Sequence, residues 1–271
     1  MAFFNFNGKN LYYEIHGEGK PLLLLNGIMM STASWKEFIE PFSANNKLVL
    51  LDMLDQGQSD HMEEPFTQAL QVEAVYAFIK EMQLDNLCIM GISYGGEVAL
   101  QLIVRYPDAC ERLVLFNTTA CTGPWLGDIG DAWNLAADNW ESYYMTTIPV
   151  IYSPKFYKDH NDWMTNRKKA LEPVFSNKVF IDAMIRLTNS ARDYDVTDRL
   201  GEIKIPVLVV SCQEDYLTPM PEQEVIAAGI PDAHRVIIPG SGHASMYEQP
   251  LLFASLVLGF ANNVKTKYTI V

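Results

Sequence analysis

The sequence predicts an α/β fold: a mostly parallel sheet of eight strands flanked by helices, with an all-helical insertion. Three observations predict it. Apolar runs such as LLLL at 22–25, LVLL at 48–51 and VLVV at 207–210 do not alternate with polar residues, as expected of strands buried on both faces of a parallel sheet. Strand-like and helix-like stretches alternate along the chain, which implies βαβ crossovers. From 118 to about 198 the strand rhythm stops.

Taken in order, strands are expected at 2–6, 11–15, 21–25, 47–52, 87–90, 112–116, 206–211 and 234–238. The first two, joined across Asn7, Gly8 and Lys9, read as an antiparallel hairpin. Helical periodicity marks 31–42, 66–82, 94–106, 220–228 and 247–262. The segment 118–198 is too long for a structureless loop in a compact protein. Its helical pieces are rich in aromatics, among them Trp125, Trp133, Trp140, Tyr143 and Tyr144, and are expected to form a cap over the sheet. The core domain then comprises 1–117 and 199–271. A chain of 271 residues, with 49% hydrophobic and 20% charged residues, suits one large core carrying such an insertion.

Charge and cysteine usage narrow the partners. Thirty-three acidic against 20 basic residues give a net charge of −13, which repels phosphate backbones and anionic leaflets, so neither nucleic acid nor a membrane is an expected partner. Cys88, Cys110, Cys121 and Cys212 form no C-x-x-C pair, which fits a reducing cytoplasm and no metal or cofactor. The opening MAFFNFNGKN lacks the basic and long apolar regions of a signal peptide, and the longest apolar run, 251–261, is too short to span a bilayer. A cytoplasmic protein acting on a small molecule is the expectation.

The chemistry is carried by Gly91, Ile92, Ser93, Tyr94 and Gly95, a G-x-S-x-G string between a strand and a helix. Such a turn lifts the serine above the sheet, small residues on either side let strand and helix close together, and the N–H groups opening the helix point at any oxyanion formed there. A serine nucleophile needs a base. Of five histidines, His243 alone follows the last strand, in the loop Pro239, Gly240, Ser241, Gly242, His243, and should emerge at the same carboxyl edge as Ser93. The orienting acid is sought after VLVVS, where Asp215 is the first choice and Glu214 its rival. Asn117, at the end of RLVLF, cannot carry the compensating charge.

The order Ser93, Asp215, His243 belongs to one convergent triad class. Together with the early hairpin, N-G after the third strand, D-x-x-x-x-G-Q-S-D after the fourth, E-D-x-x-x-P, and G-H before the last helix, it makes the chain resemble the α/β-hydrolase superfamily over its whole length. The resemblance implies oxyanion donors at the backbone of Ile28 and Tyr94, and matches Asp52, Gly57 and Ser59 to a structural loop. Where that family usually has His-Gly, this chain has Asn26 and Gly27. T-A-S-W at 32–35 and G-Q-S at 57–59 are similar to the branch containing the acyltransferase that builds the rhamnolipid precursor.

Asn26, Met29 and Trp35 around the oxyanion loop, with Trp125 and Tyr144 from the cap, are the candidate substrate contacts. An apolar, polarizable lining of this kind suits a hydrophobic acyl group. Six acidic residues between 51 and 79, with no Lys or Arg, read as a solvated face and argue against a strongly anionic substrate on that side. The leading expectation is therefore a cofactor-free serine hydrolase of an ester, thioester or lactone, working through an acyl-enzyme. Two alternatives are an acyltransferase passing a hydroxyacyl group to a hydroxyl acceptor, and a low-turnover ligand sensor on the same fold.

Overall fold

The computed structural model describes residues 2–263. Its single sheet has the order β1-β2-β4-β3-β5-β6-β7-β8, from β1 (Ala2–Phe6), β2 (Lys9–His16), β3 (Lys20–Leu25), β4 (Asn46–Leu51), β5 (Cys88–Ile92), β6 (Arg112–Phe116), β7 (Val207–Cys212) and β8 (Ala233–Ile238). Only β2 runs against its neighbours, pairing antiparallel with β1 and β4; all other pairings are parallel. The expected hairpin and parallel core are both present. Strand order reverses between β3 and β5, which opens a crevice at the carboxyl ends of those strands.

Burial of both sheet faces explains the unbroken apolar runs. Leu22, Leu24, Leu48, Leu50, Val114 and Val210 pack on one face, while Leu23, Leu25, Val49, Leu51, Leu113 and Val209 pack on the other. The first face is covered by a 3₁₀ turn at Thr32–Phe38, by α1 (Ile39–Ser43) and by a carboxyl-terminal helix. The second is covered by α2 (Gln68–Glu81) and α3 (Tyr94–Arg105).

Between β6 and β7 the chain runs through α4 (Pro124–Ala136), α5 (Trp140–Ile151), α6 (Pro154–Asp159), α7 (Asn161–Phe175) and α8 (Lys178–Ser190). The two ends of this excursion meet in a neck, where Thr122 N–H donates to Tyr194 O at 2.9 Å and Val196 N–H to Ala120 O at 2.9 Å. After β7 come α9 (Met220–Gly229), α10 (Ser245–Glu248) and α11 (Pro250–Ala261). Two expected helices differ from the structure. The 31–42 stretch is mostly 3₁₀, and the 247–262 stretch breaks at Pro250, whose ring and missing N–H prevent α10 from continuing into α11. Among the described residues no helix is long and apolar enough to cross a membrane.

Candidate active site

Ser93 sits between β5 and α3 with φ 53° and ψ −124°, a strained geometry for a residue with a side chain. The strain is held from both sides: Ser93 N–H donates to Phe116 O at 2.9 Å, and Ser93 O accepts from Thr118 Oγ1 at 2.8 Å and Gly96 N at 2.8 Å. The flanking glycines are required by space. A Cβ on Gly91 would lie 2.6 Å from Gly95 O, and one on Gly95 would press into the Leu25 carbonyl.

His243 and Asp215 come from the loops after β8 and β7. Asp215 Oδ2 lies 2.8 Å from His243 Nδ1 and accepts from Thr218 Oγ1 at 2.9 Å, while Oδ1 accepts from Leu217 N and Thr218 N, each at 2.9 Å. An ionised carboxylate only accepts, so the shared proton sits on Nδ1 and Nε2 is left as the acceptor. Asp215, not Glu214, makes this contact; Glu214 is fixed through its backbone N–H to Ser241 O at 2.9 Å. Thr218 Oγ1 also lies 3.3 Å from Nδ1.

Two polar residues that the sequence reading did not select brace this pair. Asn117 is fully buried and donates from Nδ2 to His243 O at 2.7 Å, so the position unable to supply charge supplies a hydrogen bond instead. Gln223 Nε2 donates to Thr118 O at 2.8 Å and Thr218 O at 3.0 Å, joining the loops after β6 and β7. The helical excursion is tied to the histidine loop as well. Ala244 N–H donates to Ile151 O at 2.8 Å, and Glu248 accepts from Ser153 N at 2.7 Å and Ser153 Oγ at 2.6 Å.

Ser93, His243, Ile28 and Tyr94 all line one cavity of about 620 Å³ between the sheet edge and helices α4, α5, α7 and α8. In this structure no hydrogen bond joins Ser93 Oγ to the imidazole, and among the described residues the N–H groups of Ile28 and Tyr94 have no protein acceptor. The Ile28 loop is anchored from beneath. Gln56 Nε2 donates to Gly27 O at 3.0 Å, and Thr32 N donates to Asp52 Oδ1 at 2.6 Å. Burial pushes the Asp52 carboxyl up to about 6. Ser59 Oγ donates to Asp52 O at 2.5 Å and accepts from Tyr12 N at 2.8 Å, completing the loop that Asp52, Gly57 and Ser59 mark in the sequence.

The family pattern described as "Alpha/beta hydrolase family" matches residues 22–256. The chain belongs to the α/β hydrolase family. An α/β hydrolase enzyme from a Medee basin deep-sea metagenome library is similar at 48% identity over 99% of this chain and 100% of that one, with a TM-score of 0.97. A hydrolase from Pseudomonas aeruginosa is 25% identical over 97% and 98%, with a TM-score of 0.85. Among sequences, the Azorhizobium caulinodans protein named "Putative carbamate hydrolase RutD" is 23% identical over 257 residues, 94% of this chain and 96% of its own length. Family and relatives support a hydrolase.

Within this α/β hydrolase, the candidate substrate contacts divide. Met29 lines the cavity. Asn26 and Trp35 do not. The Trp35 ring lies under the sheet, stacked on Phe253, and its Nε1 donates to Asn26 Oδ1 at 2.7 Å, while Asn26 Nδ2 donates to Leu51 O at 3.0 Å. Both are props of the loop that carries Ile28, because the 3₁₀ turn carries the chain to the opposite face of the sheet. Trp125 is 57% exposed, with Nε1 donating to Tyr216 O at 3.0 Å. Tyr144 is buried against Phe175 and Lys168 without being part of the wall. The helical side of the cavity is supplied by Leu126, Ile129, Trp133, Ile148, Phe175 and Met184.

Proposed function

We propose that this α/β hydrolase cleaves an ester, thioester or lactone with a hydrophobic acyl group, using Ser93 as nucleophile, His243 as general base and Asp215 as the group that orients the imidazole. The observation that carries the reading is a strained Ser93 at the wall of the same cavity into which the Asp215-anchored His243 opens. Ser93 Oγ attacks the acyl carbon as its proton passes to Nε2, a contact that tightens when substrate fills the cavity. The oxyanion accepts from the Ile28 and Tyr94 N–H groups, which have no acceptor to give up among the described residues. Collapse breaks the bond to the leaving group, which takes the proton from His243. Water then gives a proton to Nε2 and attacks the acyl-enzyme, releasing the acid and restoring Ser93. The name of the Azorhizobium caulinodans relative adds carbamates, whose carbonyl carbon the same groups would attack.

A fluorophosphonate probe, with the labelled peptide mapped, tests the nucleophile. Labelling at Ser93, and loss of p-nitrophenyl butyrate turnover in Ser93→Ala with an unchanged melting curve, is the expected result. Labelling elsewhere, or turnover that survives the substitution, overturns it.

A further inference from the structure

In the wall of this cavity stands a cation with no counter-charge among the described residues. Arg167, on α7, lines it, and among the described residues no carboxylate lies within 4.0 Å of its guanidinium. The Nε is buried with no hydrogen-bond partner among the described residues. The guanidinium packs on the rings of Tyr247 and Trp163, 4.8 and 5.3 Å from their centroids, which fixes its place without using its N–H groups. Behind the wall, two buried phenols that do not line the cavity, Tyr144 and Tyr152, also have hydroxyls without partners among the described residues, and the charge of Arg167 acts on both.

The other charges of the wall are accounted for. Asp55 accepts a two-point contact from Arg186, Nε to Oδ2 at 2.9 Å and Nη2 to Oδ1 at 2.6 Å. Glu97 accepts from Gln68 Nε2 at 2.6 Å, and burial raises its carboxyl to about 7. Arg192 pairs with Asp131. The acidic stretch at 51–79 is thus not a uniformly solvated face. Asp52 and Asp55 are buried and engaged, Asp60 accepts from Asn10 N at 2.7 Å and Glu73 pairs with Arg105 at 3.0 Å. These charges are largely spent inside the protein and do not bar an anion from the cavity.

We propose that Arg167 binds a carboxylate carried by the substrate at a distance from the bond that is cleaved. A partly buried guanidinium with free N–H groups is costly until an acceptor arrives, and its planar fork matches a carboxylate. One cation balances one carboxylate, whereas a phosphate dianion would leave a net charge in a largely apolar space. The substrate class becomes an ester, thioester or lactone bearing a free carboxylate. This rests on the Ser93 reading above.

Three substrates test it: p-nitrophenyl hydrogen adipate, its neutral methyl ester, and the butyrate ester of 4-hydroxybenzoate, which carries the carboxylate on the alcohol side. The wild-type protein is expected to prefer one of the carboxylate-bearing substrates over the neutral ester by about 10- to 100-fold in kcat/KM, and the preferred one tells which half lies against α7. Arg167→Gln should remove that preference, bringing kcat/KM for the favoured carboxylate substrate down to within a few-fold of the same variant's value for the neutral ester. Calorimetric binding of monomethyl adipate, about 10-fold or more weaker in Arg167→Gln, reads the same contact without any chemistry at Ser93. No wild-type preference for either carboxylate, or monomethyl adipate binding equal in the two proteins, overturns the proposal. Failure of the Ser93 reading shows instead in the fluorophosphonate map.

Discussion

Glu97 lies one turn along α3 from Ser93, 4% exposed, and its carboxyl is displaced from 4.5 to about 7, chiefly by burial. Between those values the folded protein keeps a proton that the unfolded chain has released, so stability falls as pH rises, by about 1.4 kcal/mol per unit. Below the unfolded value both states are protonated and the cost is absent; above about 7 both are ionised and the whole cost is present. The displacement corresponds to about 3 kcal/mol at pH 8. Glu97→Gln removes the titration and keeps the contacts, because a glutamine can accept from Gln68 Nε2 and donate to Thr119 Oγ1. The variant should therefore match wild type near pH 4.5 and exceed it by up to about 3 kcal/mol at pH 8, a rise in Tm of roughly 6–12 °C. Urea titrations at pH 5, 6, 7 and 8 measure the difference. Parallel stability profiles for the two proteins across that range would refute the linkage.

Asp215→Asn should lower kcat on p-nitrophenyl butyrate by roughly 10³- to 10⁴-fold with little change in KM, since the amide no longer fixes the Nδ1–H tautomer; steady-state kinetics check this. Asn117→Ala releases the His243 carbonyl from its 2.7 Å bond and should reduce kcat about 10-fold, and the buried carbonyl left without a donor should cost about 1–3 kcal/mol in urea unfolding. Arg186→Met strands the buried Asp55 carboxylate and should cost about 3 kcal/mol in urea unfolding, a loss that adding Asp55→Asn partly restores. Gly95→Ala drives a methyl group into the Leu25 carbonyl and to 2.7 Å from Asn26 O, so it should cost about 3 kcal/mol or more and yield little folded protein on expression.

The sheet was legible because its strands are buried on both faces: LLLL, LVLL and VLVV fall within β3, β4 and β7, and their parallel pairing put the ends of β5, β7 and β8 on one edge. Order along the chain was therefore enough to nominate Ser93, Asp215 and His243. Which wall a side chain lines is a different kind of information. Trp35 stands six residues after Met29, yet the 3₁₀ turn between them takes the indole under the sheet to Phe253 while Met29 stays in the cavity. Neither residue type nor spacing distinguishes them. The helical wall poses the same difficulty, because α5 and α7 carry apolar or aromatic residues on several faces: Tyr144 packs against Phe175, while Ile148, one turn on, reaches the cavity. Arg167 was invisible for a further reason. Followed directly by Lys168 and Lys169, it reads in the sequence as one member of a solvated basic run. What sets it apart is that no carboxylate among the described residues pairs with it, a property that only the packed fold defines.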